Sequence, residues 1–250
     1  MIATRTDQEI AVIERNCRLV LHAFDEIDSS VVPGAAPSEI AQQIEGIIQQ
    51  HGAEASLRGY GFPAGVIISL NDAVTNAPPS CEVLRSGDTL TIDAVVRKDG
   101  YFGKAQRWYG LGQVSSAAIA LHEAAEEALR RAIGAAVRGN RLSDISYAIG
   151  SVAEERGCGV VREYTGHGVG EALHEDPPIP CYGLPGRGPR FRQGMVLQIY
   201  VLFTEGKGGP TRIDDDHWTA RTADGARACT LGHVVAVTNG SPRILTSRFE

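Results

Sequence analysis

Lysine is scarce in this chain: of 24 basic residues only Lys98, Lys104 and Lys207 are lysine. With its many alanines and glycines, that arginine bias points to a GC-rich bacterial genome, and each lysine stands against a strong trend. Cysteine is sparse too. Cys17, Cys81, Cys158, Cys181 and Cys229 are odd in number and form no CxxC pair. That excludes a disulfide framework and a cysteine zinc site and leaves buried free thiols as the expectation. No apolar run approaches the roughly 20 residues of a membrane span. The opening MIATRTDQEIAVIE has no apolar stretch of the secretory kind. Excess positive charge is also missing, since the formal net charge is −6, which argues against a nucleic-acid surface. The glycines around Lys207 do not make a phosphate loop, because nothing like GxxxxGK[ST] is present. The expectation is a cytoplasmic protein with neither a nucleic-acid nor a membrane partner.

What is present is ordinary globular composition, 250 residues with 43% hydrophobic and 22% charged. That suffices for one large domain, 1–250, with pseudo-halves meeting near 113 and 114. Ile10, Ile13, Cys17, Val20, Leu21, Phe24 and Ile27 recur at helical spacing over 7–28. A second helix starts at Pro37-Ser38-Glu39, with Ile40, Ile44, Ile47 and Ile48 as its stripe. Val66–Leu70 and Asp88–Val96 have strand composition, and the turn Lys98-Asp99-Gly100 leads into Tyr101–Leu111, a hairpin. The plan then repeats. Helices are predicted over 115–137 and over Leu142–Arg156, the latter introduced by Asn140 and stopped by Gly157-Cys158-Gly159. Strands are predicted at Val160–Tyr164, Met195–Phe203, Ala228–Leu231, His233–Thr238 and Arg243–Thr246. Pro177 to Arg190 reads as a surface loop beside a pocket. Two helices followed by antiparallel strands, twice over, indicate an α+β protein with an internal pseudo-repeat.

Several stretches carry a family resemblance. VVPGAAPSEIAQQI, ISLNDAVTNAPP, GDTLTIDAVVRKDGYFGKAQRWYGLG, VVREYTGHGVGEALHEDPPIP, GMVLQIYVLF and GHVVAVTNGSPRILT together resemble the type I methionine aminopeptidases of the M24 peptidase family along nearly the whole chain. The resemblance implies the pita-bread (creatinase/aminopeptidase) fold, two helix–helix–antiparallel-sheet halves around one curved sheet. It also implies a dinuclear metal centre held by two aspartates, one histidine and two glutamates.

Carried over one position at a time, the first aspartate matches Asp93 and the histidine matches His167. The second aspartate falls on Lys104, the first glutamate on Tyr200, and the second glutamate on Gly232 before His233. Asp93 and Lys104 sum to zero charge where the family's carboxylates balance two divalent ions. An ammonium about 4 Å from a cation costs several kcal/mol at intermediate dielectric, and Asp93 with His167 is too small a donor set for a tight site. The sequence thus predicts no metal and no cofactor. Further matches put Asn76 and Tyr60 where the family has substrate-contacting histidines, and Gln198 where it has a threonine. His174 stands where the family has its second, substrate-facing histidine.

The candidate catalytic residues are therefore Lys104, His167, His174, Tyr200 and Asp93, and the candidate substrate-binding residues are Tyr60, Phe62, Asn76, Gln198 and Trp218. A buried lysine beside a carboxylate serves equally as an acid–base group or as a salt bridge filling space. Tyr200 serves as a proton donor or as ring volume. Glu171 and Glu175 read as solvated or hydrogen-bonded surface carboxylates, the run Asp214-Asp215-Asp216 as a solvated loop, and His233 as a core histidine with a satisfied hydrogen bond. The favoured expectation is a metal-independent enzyme doing hydrolysis, elimination, cyclisation or isomerisation on a small or peptide-like molecule bound in the central pocket, with bacterial specialised metabolism as its setting. The alternatives are a non-catalytic pseudo-peptidase that binds a protein or peptide, and a residual single-metal aminopeptidase. Oligomeric state stays open.

Overall fold

The computed structural model describes residues 2–247. Helix α1 spans Asp7–Ile27 and α2 spans Pro37–Gln50; the short strand β1 is Glu54–Ala55, followed by a 3-10 turn over Ser56–Tyr60. Strands β2 (Val66–Leu70), β3 (Ala73–Thr75), β4 (Thr89–Lys98) and β5 (Tyr101–Gly110) come next. Then follow α3 (Ser116–Ala135), α4 (Leu142–Arg156), β6 (Gly159–Val160), β7 (Gly166–Gly168), β8 (Glu175–Ile179) and β9 (Val196–Thr204). Strands β10 (Thr211–Ile213), β11 (Ala220–Thr222), β12 (Ala228–Ala236) and β13 (Arg243–Ile244) complete the order. No helix among the described residues is long and apolar enough to cross a membrane.

Local chemistry sets these boundaries. The Thr6 hydroxyl accepts from the Glu9 backbone N–H while the Glu9 carboxylate accepts from the Thr6 N–H at 2.7 Å, a capping box that starts α1. Pro37 occupies the first turn of α2, where its missing N–H costs nothing. Ser115 caps α3 through the Ala118 N–H. The start of α4 differs from the sequence expectation. Arg141 is its N-cap, its N–H donating to Asp144 at 2.7 Å, while the Asn140 amide donates back to the Ala135 carbonyl at the end of α3. Gly157, at φ 68°, ends α4 in the left-handed conformation glycine favours.

Antiparallel pairing dominates the sheets. Strand β4 pairs with β5 along one edge and with β2 and β1 along the other. Strands β13, β12, β9, β7 and β8 run in that order, with β6 added to β9; β10, β11 and β3 form a small third sheet. The hydrogen-bonded order is thus three sheets. The α+β pita-bread fold with antiparallel sheets is the fold of this chain. Helices α1 and α2 bury Phe24, Ile27, Ile44 and Ile48 against Ile68, Leu90 and Ile92, and α3 and α4 bury a mostly alanine and isoleucine face against Leu197, Val201 and Phe203. A third cluster joins Ile13, Phe62 and Val95 from the first half to Val169, Val196 and Val234 from the second.

Some strand boundaries depart from expectation. Ala228–Ala236 is one unbroken strand, because Gly232 and His233 keep their pairing with Tyr200 and Ile199. Of Val160–Tyr164 only the first residue is in a strand, and Pro177–Ile179 belongs to β8. The rest of that proline-rich connection packs on α4, with the Leu142 and Ser143 N–H groups donating to the Pro189 and Arg187 carbonyls. Two cysteines depart from the buried-thiol expectation, since Cys81 is exposed and Cys158 only half-buried.

Candidate functional site

The site is built on the two longest antiparallel pairs. Around the two-residue turn Asp99-Gly100, both at positive φ, register fixes Asp93 opposite Gln106 and Val95 opposite Lys104. Side chains of opposed residues share a face, and that face recurs every second residue. In the other sheet Tyr200 opposes Gly232 and Gln198 opposes both Val234 and His167. Asp93 and Lys104 thus come from the first half, Tyr200 and His167 from the second.

These side chains converge. Asp93 Oδ2 accepts from Gln106 Nε2 at 2.9 Å and from the Tyr200 hydroxyl at 3.1 Å, and Lys104 Nζ lies 3.3 Å from the same oxygen. Lys104 also donates to the Tyr200 oxygen. Asp93 is 5% exposed and Lys104 3%, so the pair is shielded from solvent. The His167 ring lies 4.4 Å from His174 and 5.9 Å from Tyr200, centroid to centroid. His167 Nδ1 sits 2.8 Å from the Gly168 carbonyl, which can only accept, so Nδ1 carries the hydrogen and Nε2 presents a lone pair.

Burial pushes the His167 imidazole down to about 3, with the Lys104 charge adding to the effect and the Gly168 carbonyl opposing it. His174 is lowered by burial and then by Lys104, with Asp93 partly restoring it. Burial first, then the Asp93 charge and hydrogen bond, holds the Tyr200 phenol well above its ordinary range. The site is therefore one carboxylate and one ammonium in contact, beside two neutral imidazoles and an un-ionised phenol.

A cavity of about 270 Å³ opens onto this cluster. Its lining includes Asp93, Lys104, His167, His174, Tyr200, Tyr60, Phe62, Asn76 and Trp218, so nine of the ten residues expected from the sequence meet there. Phe62 and Trp218 stack edge to face at 5.3 Å, and the partly exposed Tyr60 and Trp218 form the rim. Gln198 is the exception. It is wholly buried, outside the cavity lining, and beside Gly232, where an added Cβ would come within 2.5 Å of its amide nitrogen and 2.7 Å of Gln106 Oε1.

Sequence reasoning missed Gln106, which counting register from the Asp99-Gly100 turn would have placed opposite Asp93. It also missed the apolar lining by Leu57, Ile67, Val95 and Leu173, which carries no motif. Of the carboxylates outside the cavity, Asp214 differs from the solvated-loop expectation and Glu175 does not. Glu175 is the hydrogen-bonded kind of carboxylate, accepting two hydrogen bonds from Arg5 at 2.6 and 2.8 Å. Asp214 is held by Arg221 and Arg212.

Comparison with known proteins places this geometry. Residues 11–239 match the model of metallopeptidase family M24. The chain is 37% identical to methionine aminopeptidase 1 of Bacillus subtilis, over 98% of this chain and 99% of that one. It is 40% identical to methionine aminopeptidase 1 of Mycobacterium tuberculosis, over 98% and 95%. The crystal structure of methionine aminopeptidase from Rickettsia prowazekii superposes with a TM-score of 0.96 at 30% identity, covering 99% of this chain and all of that one.

This chain belongs to metallopeptidase family M24.

The comparisons correct the functional expectation. Relatives along nearly the full length are methionine aminopeptidases, so a metal-independent enzyme of specialised metabolism has no support, and neither does metal-site loss leading to a pseudo-peptidase. The expectation of an enzyme is supported. The fit of the family's metals is a separate matter of geometry. Asp93 and His167 are the donors at the expected positions, Lys104 Nζ lies 3.3 Å from Asp93, and the described residues hold no group of three or more His, Cys, Asp or Glu able to bind a metal ion. As arranged here, these side chains do not fit a two-ion centre, and no step below is routed through one.

Proposed function

We propose that this chain is an aminopeptidase acting on the N-terminal residue of a peptide, with a preference for an apolar first side chain. The observation that carries this reading is a cavity in which an aromatic and aliphatic wall meets a buried polar cluster. Phe62, Trp218, Tyr60 and Leu173 offer the apolar contact, and a side chain moved there leaves water at about 25 cal/mol per Å². Asp93, Lys104, His167 and His174 face the end of the substrate that carries its polar groups. The similarity to methionine aminopeptidases over the whole chain supports the same class.

The substrate's peptide bond must lie near that polar cluster. Lys104, already donating to Tyr200 and Asp93, holds their orientations, and the neutral His174 stands between the cluster and Tyr60 at the rim, 6.4 Å from the Tyr60 ring. Purified protein should release free methionine from methionyl-alanyl peptides, tested with and without a panel of added divalent cations. Peptides that begin with lysine or glutamate should be cleaved at least about tenfold more slowly, because their charged ends would be desolvated against the aromatic wall. Failure to release any N-terminal residue under every condition overturns the reading.

A further inference from the structure

A second cavity, of about 500 Å³, lies between α1 and α3 where β5 runs beside β12, and it shares no lining residue with the central one. Leu21, Leu129 and Leu231 give it apolar walls, and Trp108 and His122 stack on each other at 4.0 Å along one side. Gln106 and His233 line it as well, and each leaves one neutral polar atom for a ligand. Gln106 donates from Nε2 to Asp93, a carboxylate that only accepts, so the amide cannot turn over and its oxygen is held away from Asp93. That Oε1 is buried without a donor, within 2.7 Å of where a Cβ on Gly232 would stand. The His233 ring is fixed too. Thr246 Oγ1 accepts from the Val234 N–H at 3.2 Å, so its own hydrogen turns to His233 Nδ1, 2.7 Å away, and the ring hydrogen sits on Nε2. Among the described residues nothing accepts from that Nε2–H.

The charges at this cavity are neutralised or stand at its edge. Arg107 donates to Asp28 and Asp25 at 2.8 Å each, and the exposed Glu126 lies 3.8 Å from His122 Nε2. Burial lowers both imidazoles, His233 to about 4 and His122 against the opposing pull of Glu126 and Glu123, so neither is charged near pH 7. We infer that this second cavity binds a small uncharged carboxamide on a flat apolar body, its N–H donating to Gln106 Oε1 and its carbonyl accepting from His233 Nε2–H. The two atoms set the class. A ketone satisfies the imidazole and leaves Gln106 Oε1 unpaired, a carboxylate brings no hydrogen to Oε1 and adds charge beside Glu126, and an ammonium brings no acceptor for the imidazole. The leucines and the Trp108 indole set the apolar body. The inference does not depend on the aminopeptidase reading, because the two cavities have no lining residue in common.

Benzamide, acetophenone and benzoate share one flat body and differ in the polar group. The chain's two tryptophans report on different cavities, Trp108 on this one and Trp218 on the central one. Benzamide titrated into the unmodified protein should change the emission saturably, with one molecule bound per chain by calorimetry, and Trp218→Phe should keep the change. Acetophenone should bind at least about tenfold more weakly, since Gln106 Oε1 then stays unpaired, and benzoate more weakly still. His233→Phe should weaken benzamide and acetophenone by the same severalfold factor, because both present a carbonyl. Gln106→Met should remove the benzamide advantage. Equal binding of the three compounds to the unmodified protein overturns the inference, whether or not the variants fold. So does an emission change that disappears in Trp218→Phe, which would put benzamide in the central cavity. An absence of saturable benzamide binding overturns it too.

Discussion

Burial decides the chemistry of His167. At 7% exposure, with the Lys104 ammonium nearby, its imidazole is pushed down to about 3 from an ordinary 6.5. His233, pushed down to about 4 by burial alone, behaves the same way. Between those values and about 6.5 the unfolded chain binds protons that the folded chain does not, so stability is complete above about pH 6.5 and drains away as pH falls toward 3. From pH 7.5 to pH 5 each such histidine should cost about 2 kcal/mol of unfolding free energy. Urea unfolding of the native protein and of His167→Gln at both pH values checks this. The variant's pH-dependent loss should be smaller by about that amount, and an unchanged loss would mean that His167 titrates normally. At this scale the sequence was informative about identity but not about depth. Lys104 and Tyr200 stand beside Asp93, as position-by-position resemblance implied. Gln198 lies on the expected strand face yet beneath the cavity, because the missing side chain of Gly232 lets two amides close over it. Nothing in local sequence encodes that.

Among the elements, α1 and β5 cross closely enough to forbid a side chain. A Cβ at Gly103 would lie 2.4 Å from Asn16 Cβ and 2.6 Å from the Cys17 nitrogen, so the helix backbone itself would have to move. The crossing is pinned by the Asn16 amide, which donates to the Lys98 and Tyr101 carbonyls at 3.0 and 2.9 Å. Gly103→Ala should therefore cost about 3 kcal/mol, in the range of overpacked cores. Gly46, inside α2 with nothing near its would-be Cβ, sets the opposite sign: Gly46→Ala should stabilise by about 0.5–1 kcal/mol, since alanine loses less backbone entropy in a helix. Thermal melts of the two variants decide the matter, and a neutral Gly103→Ala would mean that α1 yields at this crossing. Helix ends and the central hairpin were legible because caps and a two-residue turn are local signals. The continuity of β12 through Gly232 was not, because glycine followed by histidine reads as an interruption until the ladder to β9 supplies the missing hydrogen bonds.

Across the whole molecule, the fold was legible because its motifs are spread over both halves, so the resemblance did not hang on one segment. Function was less legible. Ligand positions read singly led to a metal-independent enzyme, whereas the similarity along the full chain is to methionine aminopeptidases. The cavity itself is a product of the two halves. Phe62 follows the 3-10 turn of the first half, Trp218 sits between β10 and β11 of the second, and their rings meet at 5.3 Å. Neither residue alone makes an apolar wall, and the sequence separates them by most of the chain. Trp218 is 36% exposed, so its indole contributes more to what the cavity holds than to what the core buries. Trp218→Ala should accordingly raise KM for a methionyl peptide about tenfold, matching roughly 1.4 kcal/mol of lost apolar contact, with kcat and the melting temperature little changed. Steady-state kinetics beside a thermal melt separates the outcomes. A large fall in melting temperature would make Trp218 a structural joint between the halves, and a fall in kcat at constant KM would move the first side chain of the substrate to another wall.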